Sequence, residues 1–253
     1  MGPPPKLEEL VVNRRWLRRS QPFSHVVASG VFAEDFAREL DEACRAVTSD
    51  RDHLVHFGWY DAYNWGFKAG MEWPLSIFTS AEWCDFIAGA MGVNRTPHVA
   101  GGIHFHDIGS KSGSVHCDLN PVYFPAGYDD PVQLPKSDLV SYQHGPKAGS
   151  DVEVTEVVRA ISLIYYLGNA PWQPGDGGET GLYRYGDDLV VTPVAAVPPR
   201  NNSLVMFECT PWSFHTFLSN RRSSRSSVVM WLHRELKEAD ALFGARRFEH
   251  WES

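Results

Sequence analysis

Two residues two positions apart, His116 and Asp118, and a third far downstream, His215, have the types and spacing to hold a metal ion. Two imidazoles and one carboxylate on one face of an octahedron bind Fe(II) and leave positions open for O2 and a co-substrate. In an extended segment residues i and i+2 point the same way, so His116 and Asp118 can reach one ion. A His-x-Asp pair alone is common, so its surroundings must decide whether it is a site.

Other histidines compete for the role. His104-Phe105-His106 is a second pair that could take a metal with His215 as third ligand, as in cupins, but that leaves Asp118 without a purpose. His106 and Asp107 can instead lie near a substrate, because their strand should border the pocket. His144 and His233 read as surface or packing residues. Cys117, alternating away from the metal, reads as core.

The elements that must position these residues come from a chain of 253 residues, 43% hydrophobic and 21% charged. Those values suit a single domain spanning 1–253, with a leader over 1–20 and an insertion over 119–156. A net charge of −8 argues against nucleic-acid binding. The local cluster Arg14, Arg15, Arg18 and Arg19 reads as a solvated face. No apolar run approaches the ~20 residues that cross a bilayer, and Met1–Leu10 lacks the apolar stretch of a signal peptide. Cys44, Cys84, Cys117 and Cys209 form no CxxC and read as free thiols in a reducing compartment. A cytoplasmic protein with neither membrane nor nucleic-acid partner is expected, and a homodimer is left open.

Helical periodicity marks Ala33–Val47, with Phe36, Leu40 and Cys44 on one face. A second helix runs to Met91, opened by a capping box over Thr79-Ser80-Ala81-Glu82 and ended by Gly92. Strands are expected at Ser24–Val31, Val99–Ile108, His116–Asp118, Val157–Leu167, Thr180–Tyr185, Ser203–Glu208, Ser213–Leu218 and Ser226–His233. Asn201-Asn202 reads as a hairpin turn, Met1–Leu10 as a frayed leader, and Glu235–Phe248 as a closing helix. The aromatic run Phe57–Trp73 reads as packing over a helix–sheet edge, ahead of lining a pocket. Leu119–Asp151 lacks periodicity, and loops that long are usually functional or disordered. Helices followed by about eight strands give a mainly β protein, a double-stranded β-helix (jelly roll) with its helices packed on one sheet.

The sequence from His215 through Arg225 to Trp231 resembles prolyl-4-hydroxylase-like Fe(II)/2-oxoglutarate-dependent dioxygenases, whose distal metal histidine is followed about ten residues later by Lys or Arg and then by a strand ending in Trp. Arg159-Ala160-Ile161-Ser162-Leu163-Ile164-Tyr165-Tyr166-Leu167 is similar to the family's Arg-x-x-Thr/Ser-x-x-x-Tyr-Leu strand. Gly177-Gly178-Glu179-Thr180 matches its Gly-Gly-Glu-Thr turn. The resemblance covers roughly His116 to His233. It implies His116, Asp118 and His215 as catalytic Fe(II) ligands, with 2-oxoglutarate and O2 as co-substrates. Arg225 would pair bidentately with the distal carboxylate of 2-oxoglutarate, ahead of its rivals Arg221 and Arg222 in the adjoining turn. Ser162, Ile164 and Tyr166 share one strand face, which assigns Tyr166 and Ser162 to the co-substrate and leaves Tyr165 to packing.

Halogenating relatives carry Gly or Ala at the carboxylate position, so Asp118 implies hydroxylation, with succinate and CO2 as co-products. The aromatic segment, and an insertion able to fold over the open iron face as a lid, favour a small-molecule substrate, an amino acid or natural-product intermediate. Alternatives are a prolyl or peptidyl hydroxylase acting on a protein, a non-redox cupin-like metal protein, and a non-catalytic binding protein.

Overall fold

A computed structural model describes residues 5–58, 61–184 and 192–244. Trp59 and Tyr60 of the aromatic run, Tyr185, and the end of the closing helix beyond Gly244 lie outside the described residues.

The chain opens with α1 (Leu7–Leu10), β1 (Leu17–Arg19) and β2 (His25–Ser29). Helix α2 (Glu34–Ser49), strands β3 (Val55–Phe57) and β4 (Ala62–Gly66), and helix α3 (Ala81–Met91) follow. Next come β5 (Val99–His106), β6 (Pro121–Pro125) and the two-residue strands β7 (Val140–Ser141) and β8 (Gly145–Pro146). The long β9 (Val154–Tyr166) leads to β10 (Thr180–Leu182), β11 (Ala195–Val197), β12 (Ser203–Glu208), β13 (His215–Phe217), β14 (Arg225–Glu235) and α4 (Leu236–Phe243).

Antiparallel pairing builds a nine-stranded sheet in the order β1-β2-β12-β9-β14-β5-β4-β3, with β6 on the first half of β9. A smaller sheet, β11-β10-β13, faces it. Strand alternation divides the core between the two faces of the large sheet. Leu163, Tyr165, Val228, Met230 and Leu232 pack on the helical side with Phe36, Leu40, Trp83 and Ile87. Ile164, Tyr166, Val229 and Phe207 point the other way and meet Leu182 of the small sheet. This is the helix-backed double sheet expected from the sequence.

The helices form for the expected reasons, with one change in detail. In α2 the buried Phe36, Ala37, Leu40, Cys44 and Thr48 recur at helical spacing, with Glu34 and Asp35 in the first turn. In α3 the N-cap is Ser80, whose hydroxyl accepts from the Trp83 amide. Thr79 instead donates back to the Ser76 carbonyl, so the Thr79–Glu82 box does not form. Gly92 closes the helix at φ 71°, a left-handed conformation that glycine adopts without strain.

Four other expectations are revised. The leader expected over 1–20, frayed over Met1–Leu10, is tied down where it is described: Leu10 and Val11 are buried, Val11 bridges Phe32, and β1 pairs with β2 with its three side chains exposed. Asn201-Asn202 is not a hairpin turn, because β11 and β12 belong to different sheets; it carries the chain between them, with Asn202 at φ 55°. His116–Asp118 is no full strand but a single bridge, His116 to His215. Within 119–156 the chain is not all loop, since β6 is hydrogen-bonded along β9.

The aromatic run is packing where it is described. Phe67 is buried in the helix-side core, Trp65 packs against that core, and Trp73 meets Phe36 at 4.9 Å. All four cysteines are free. Among the described residues no helix is long and apolar enough to cross a membrane.

Trp83 has no exposed surface and sits among Phe32, Phe78 and Phe86. Trp83→Ala should therefore cost about 3–5 kcal/mol, read as a lower urea midpoint; a change below about 1 kcal/mol would mean that α3 does not anchor the helical layer.

Candidate metal centre

A backbone bridge brings the distant histidines together: the His116 amide donates to the His215 carbonyl (3.1 Å) and the His215 amide to the His116 carbonyl (2.9 Å). Their rings lie side by side, centroids 4.6 Å apart. Each Nδ1 meets a backbone carbonyl, His116 with Ser114 at 2.8 Å and His215 with Ser213 at 3.2 Å. A carbonyl only accepts, so each Nδ1 carries a proton and Nε2 is the nitrogen through which each ring can ligate. Both Nε2 atoms face Asp118, at 3.8 Å and 3.5 Å from its two oxygens.

His116, Asp118 and His215 offer ligand atoms within 4.8 Å of one another, the one such group among the described residues. His104 and His106 are not part of it. His106 instead stacks on Phe217 at 3.7 Å, with its Nδ1 near the Asp61 carbonyl. Asp107 is exposed and pairs with Arg51. His144 is exposed, and Cys117 packs beside Leu119 and Cys209.

Asp118 is buried, and each of its oxygens accepts a hydrogen bond. Arg159 Nη1 donates to Oδ1 (3.1 Å) and Trp231 Nε1 to Oδ2 (2.7 Å). Burial alone would raise the carboxyl's pKa, but His215, Arg159 and His116, with the Trp231 N–H, outweigh it and hold Asp118 ionised, well below the usual carboxylate range. Burial lowers His215 to about 4, leaving it neutral and able to ligate. Anchoring of both carboxylate oxygens and both Nδ1 atoms orients the three ligands as metal-binding side chains require. Arg159 and Trp231 were legible only as marks of resemblance, not as members of the site.

Arg225 lies on the same inward face of β14. It is buried, its Nη2 donates to Thr180 Oγ1 (3.4 Å), and its guanidinium lies 5.3 Å from the Tyr166 ring and 5.4 Å from the Phe217 ring. Tyr166 Oη donates to the same Thr180 oxygen at 2.6 Å. With two donors on its oxygen, the Thr180 hydroxyl is left with its own proton to give. Among the described residues no carboxylate pairs with Arg225, and its Nε, Ser162 Oγ and Ser227 Oγ are buried without hydrogen-bond partners. A buried, unpaired guanidinium is costly, and a set of unspent donors around it suits an incoming carboxylate.

Arg221 and Arg222 are exposed, Arg222 lying 3.7 Å from Asp176. Tyr165, on the opposite face, donates to Asn202 and packs against Phe32 and Phe78. Thr180 and Ser227 were not singled out from the sequence as site residues. His104 pairs with Ser227 across β5 and β14 and feels both Arg225 and Asp118; burial first, then Arg225, lowers it to about 3, so it adds no charge between them.

Thr180 is placed by the Gly177-Gly178 turn. Gly177 is at φ 80°, and a Cβ there would lie 2.1 Å from the Ser219 carbonyl oxygen, so no other residue fits. Gly178 donates to the Leu218 and Ser219 carbonyls.

Residues 138–233 match the family model described as the 2OG-Fe(II) oxygenase superfamily. That match covers 96 of the chain's 253 residues. Over 82 residues the chain is 39% identical to prolyl 3,4-dihydroxylase OGFOD1 of Ostreococcus tauri, a match covering 30% of this chain and 16% of that protein. Its fold is similar to that of a Pseudomonas putida prolyl-4-hydroxylase, with TM-score 0.57 and 17% identity over 83% of this chain and 92% of that one. A prolyl hydroxylase from Trichoplax adhaerens, solved with a hypoxia inducible factor oxygen degradation domain peptide fragment, gives TM-score 0.54 and 12% identity over 86% of each chain.

Burial also depresses His98 to about 4 and His233 to about 3. Both stay neutral in the folded state, whereas the unfolded chain takes up protons below about 6.5. Their contribution to stability is complete above that pH and is lost as pH falls toward the folded values. Lowering the pH from 7 to 5 should cost about 1–2 kcal/mol for each, seen as a lower urea midpoint of the metal-free protein. A midpoint that rises on acidification would contradict the burial of these rings.

Proposed function

We propose that this protein is an oxygenase that hydroxylates a prolyl side chain within a peptide or protein, using Fe(II), O2 and 2-oxoglutarate. His116 Nε2, His215 Nε2 and the Asp118 carboxylate would hold the iron, a donor set that fits Fe(II) in both type and number. Arg225, Thr180 and Tyr166 would take the distal carboxylate of 2-oxoglutarate, with the hydroxyls of Ser162 and Ser227 along the same wall. Bound together, iron and 2-oxoglutarate supply the oxidant, O2 being consumed as the co-substrate becomes succinate and CO2 and one oxygen atom enters the substrate C–H bond.

The chain's own part is to orient and to exclude. Arg159 and Trp231 fix the carboxylate, the Ser114 and Ser213 carbonyls fix the imidazoles, and the apolar Ile164, Val229 and Phe207 keep water from the space between the sheets.

The observation that carries the choice of substrate is the asymmetry of the site. Arg225 is 4% exposed, whereas the His116 side chain is 47% exposed and its neighbour Val115 39%. The co-substrate end is closed and the reacting end is open, which suits a segment of polypeptide. The small-molecule expectation rested on 119–156 acting as a lid. That segment instead pairs β6 with β9 and places Tyr142 against Arg159, leaving His116 open. The kinship with prolyl hydroxylases adds support to the peptide reading.

Anaerobic addition of Fe(II) and then 2-oxoglutarate should produce the weak visible band of the chelate, which disappears on admitting O2 as succinate forms. Proline-containing peptides should then gain one oxygen atom on proline, located by fragment mass spectrometry. Succinate formation stimulated only by free amino acids or other small molecules would reject the peptide reading. Arg225→Ala should raise the 2-oxoglutarate requirement about 10–100-fold, the loss of a charge-assisted pair, with a much smaller change in Fe(II) affinity; an unchanged requirement would move the anchor elsewhere.

A further inference from the structure

Tyr142 reaches the site from behind, out of the segment that follows Asp118 in sequence. We propose that Tyr142 is a positioning residue for the metal centre: its hydroxyl, directed by His233, sets the Arg159 guanidinium and through it the Asp118 carboxylate. The proposal rests on the metal reading of His116, Asp118 and His215.

Counting protons gives the chain of hydrogen bonds one direction. The His98 carbonyl can only accept, so His233 Nδ1, 2.8 Å away, carries the proton. Neutral His233 then has a bare lone pair at Nε2, and Tyr142 Oη at 2.8 Å must donate to it. With its proton used there, the Tyr142 oxygen accepts from Arg159 Nε at 3.2 Å, and Arg159 Nη1 donates to Asp118 Oδ1 at 3.1 Å. His233 has no exposed surface, and burial lowers it to about 3, so the direction does not reverse at neutral pH.

Tyr142 and Trp231 both bear on Arg159. The guanidinium carbon lies 4.0 Å from the Trp231 ring centroid, and Tyr142 accepts from Nε at the edge of the same group. Trp231 is also the donor to Asp118 Oδ2, so the groups holding the two carboxylate oxygens are stacked on each other. The segment bearing Tyr142 is pinned at the same place. Gln133 bridges His98, whose carbonyl ends the chain of hydrogen bonds, through Val99 N to Gln133 O and Gln133 N to Pro97 O, both 2.9 Å. The insertion thus supports a ligand from outside the site.

The test is Co(II) affinity, with Co(II) as an air-stable stand-in for Fe(II), measured by titration of the visible absorption of the metal-free protein. Tyr142→Phe keeps the ring and removes the hydroxyl; partners one bond outside a ligand change affinity about 10–100-fold, so one bond further out about 3–10-fold weaker binding is expected, with a shifted Co(II) absorption. Val122→Ala opens a cavity in the cluster beside Tyr142 and leaves the polar chain intact, and it should keep Co(II) affinity within about twofold despite its lower stability. His233→Gln should weaken binding alone and add little in the Tyr142→Phe background, because both act through one chain.

Unchanged affinity in Tyr142→Phe, or an equal loss in Val122→Ala, would overturn the positioning role while leaving the metal site standing. Failure of the wild-type protein to bind Co(II) or Fe(II) would instead remove the metal reading, and this proposal with it.

Discussion

An ionised carboxylate out of reach of water is tolerated only when its oxygens are hydrogen-bonded and its charge is met. Asp118 imposes that condition on this fold. Its two donors come from neighbouring strands of the large sheet, Arg159 on β9 and Trp231 on β14, so the pairing of those strands is also the completion of the site. Taking away one partner of such a buried pair typically costs about 3–5 kcal/mol. The central strands are thus committed to chemistry as well as to the core.

The charges of Arg225 and Asp118 have a neutral ring between them. Arg225 presents positive charge at the closed end, Asp118 negative charge at the open end, and His104 near both is held neutral by burial. A keto-dicarboxylate has the matching form, with a carboxylate to reach the guanidinium and a chelating end for a metal beside Asp118. Low-dielectric walls strengthen such interactions relative to water.

Periodicity made the helices legible, because Phe36, Leu40 and Cys44 mark one face of α2 whatever the tertiary context. It also made Ser203–Glu208 legible as β12. The metal-binding trio was visible because residue type and family spacing are properties of the sequence itself. Arg159 was not visible as a site residue for a geometric reason. Strict alternation puts it on the helical side with Ile161, but the register shifts between Leu232 and His233, and the extra residue on β9 turns Arg159 inward. Thr180 and Tyr142 were hidden because their roles are hydrogen bonds to residues far away in sequence, Tyr166 and His233. The Asn201-Asn202 turn has ordinary hairpin chemistry; only the sheet order reveals that it joins different sheets.

The bridge between His116 and His215 has a consequence for how the protein is made. Each bond that defines the centre closes a long loop: Asp118 to Trp231 spans 113 positions and Asp118 to Arg159 spans 41. Closing long loops costs chain entropy before any contact repays it, so such contacts form late. During synthesis α1 to α3 and the first strands emerge well before β14, which carries both Arg225 and Trp231. A growing chain therefore holds an incomplete ligand set until His215 has been made, and lacks the Trp231 donor until β14 follows. The carboxylate, its donors and the buried Arg225 come together only in the folded protein.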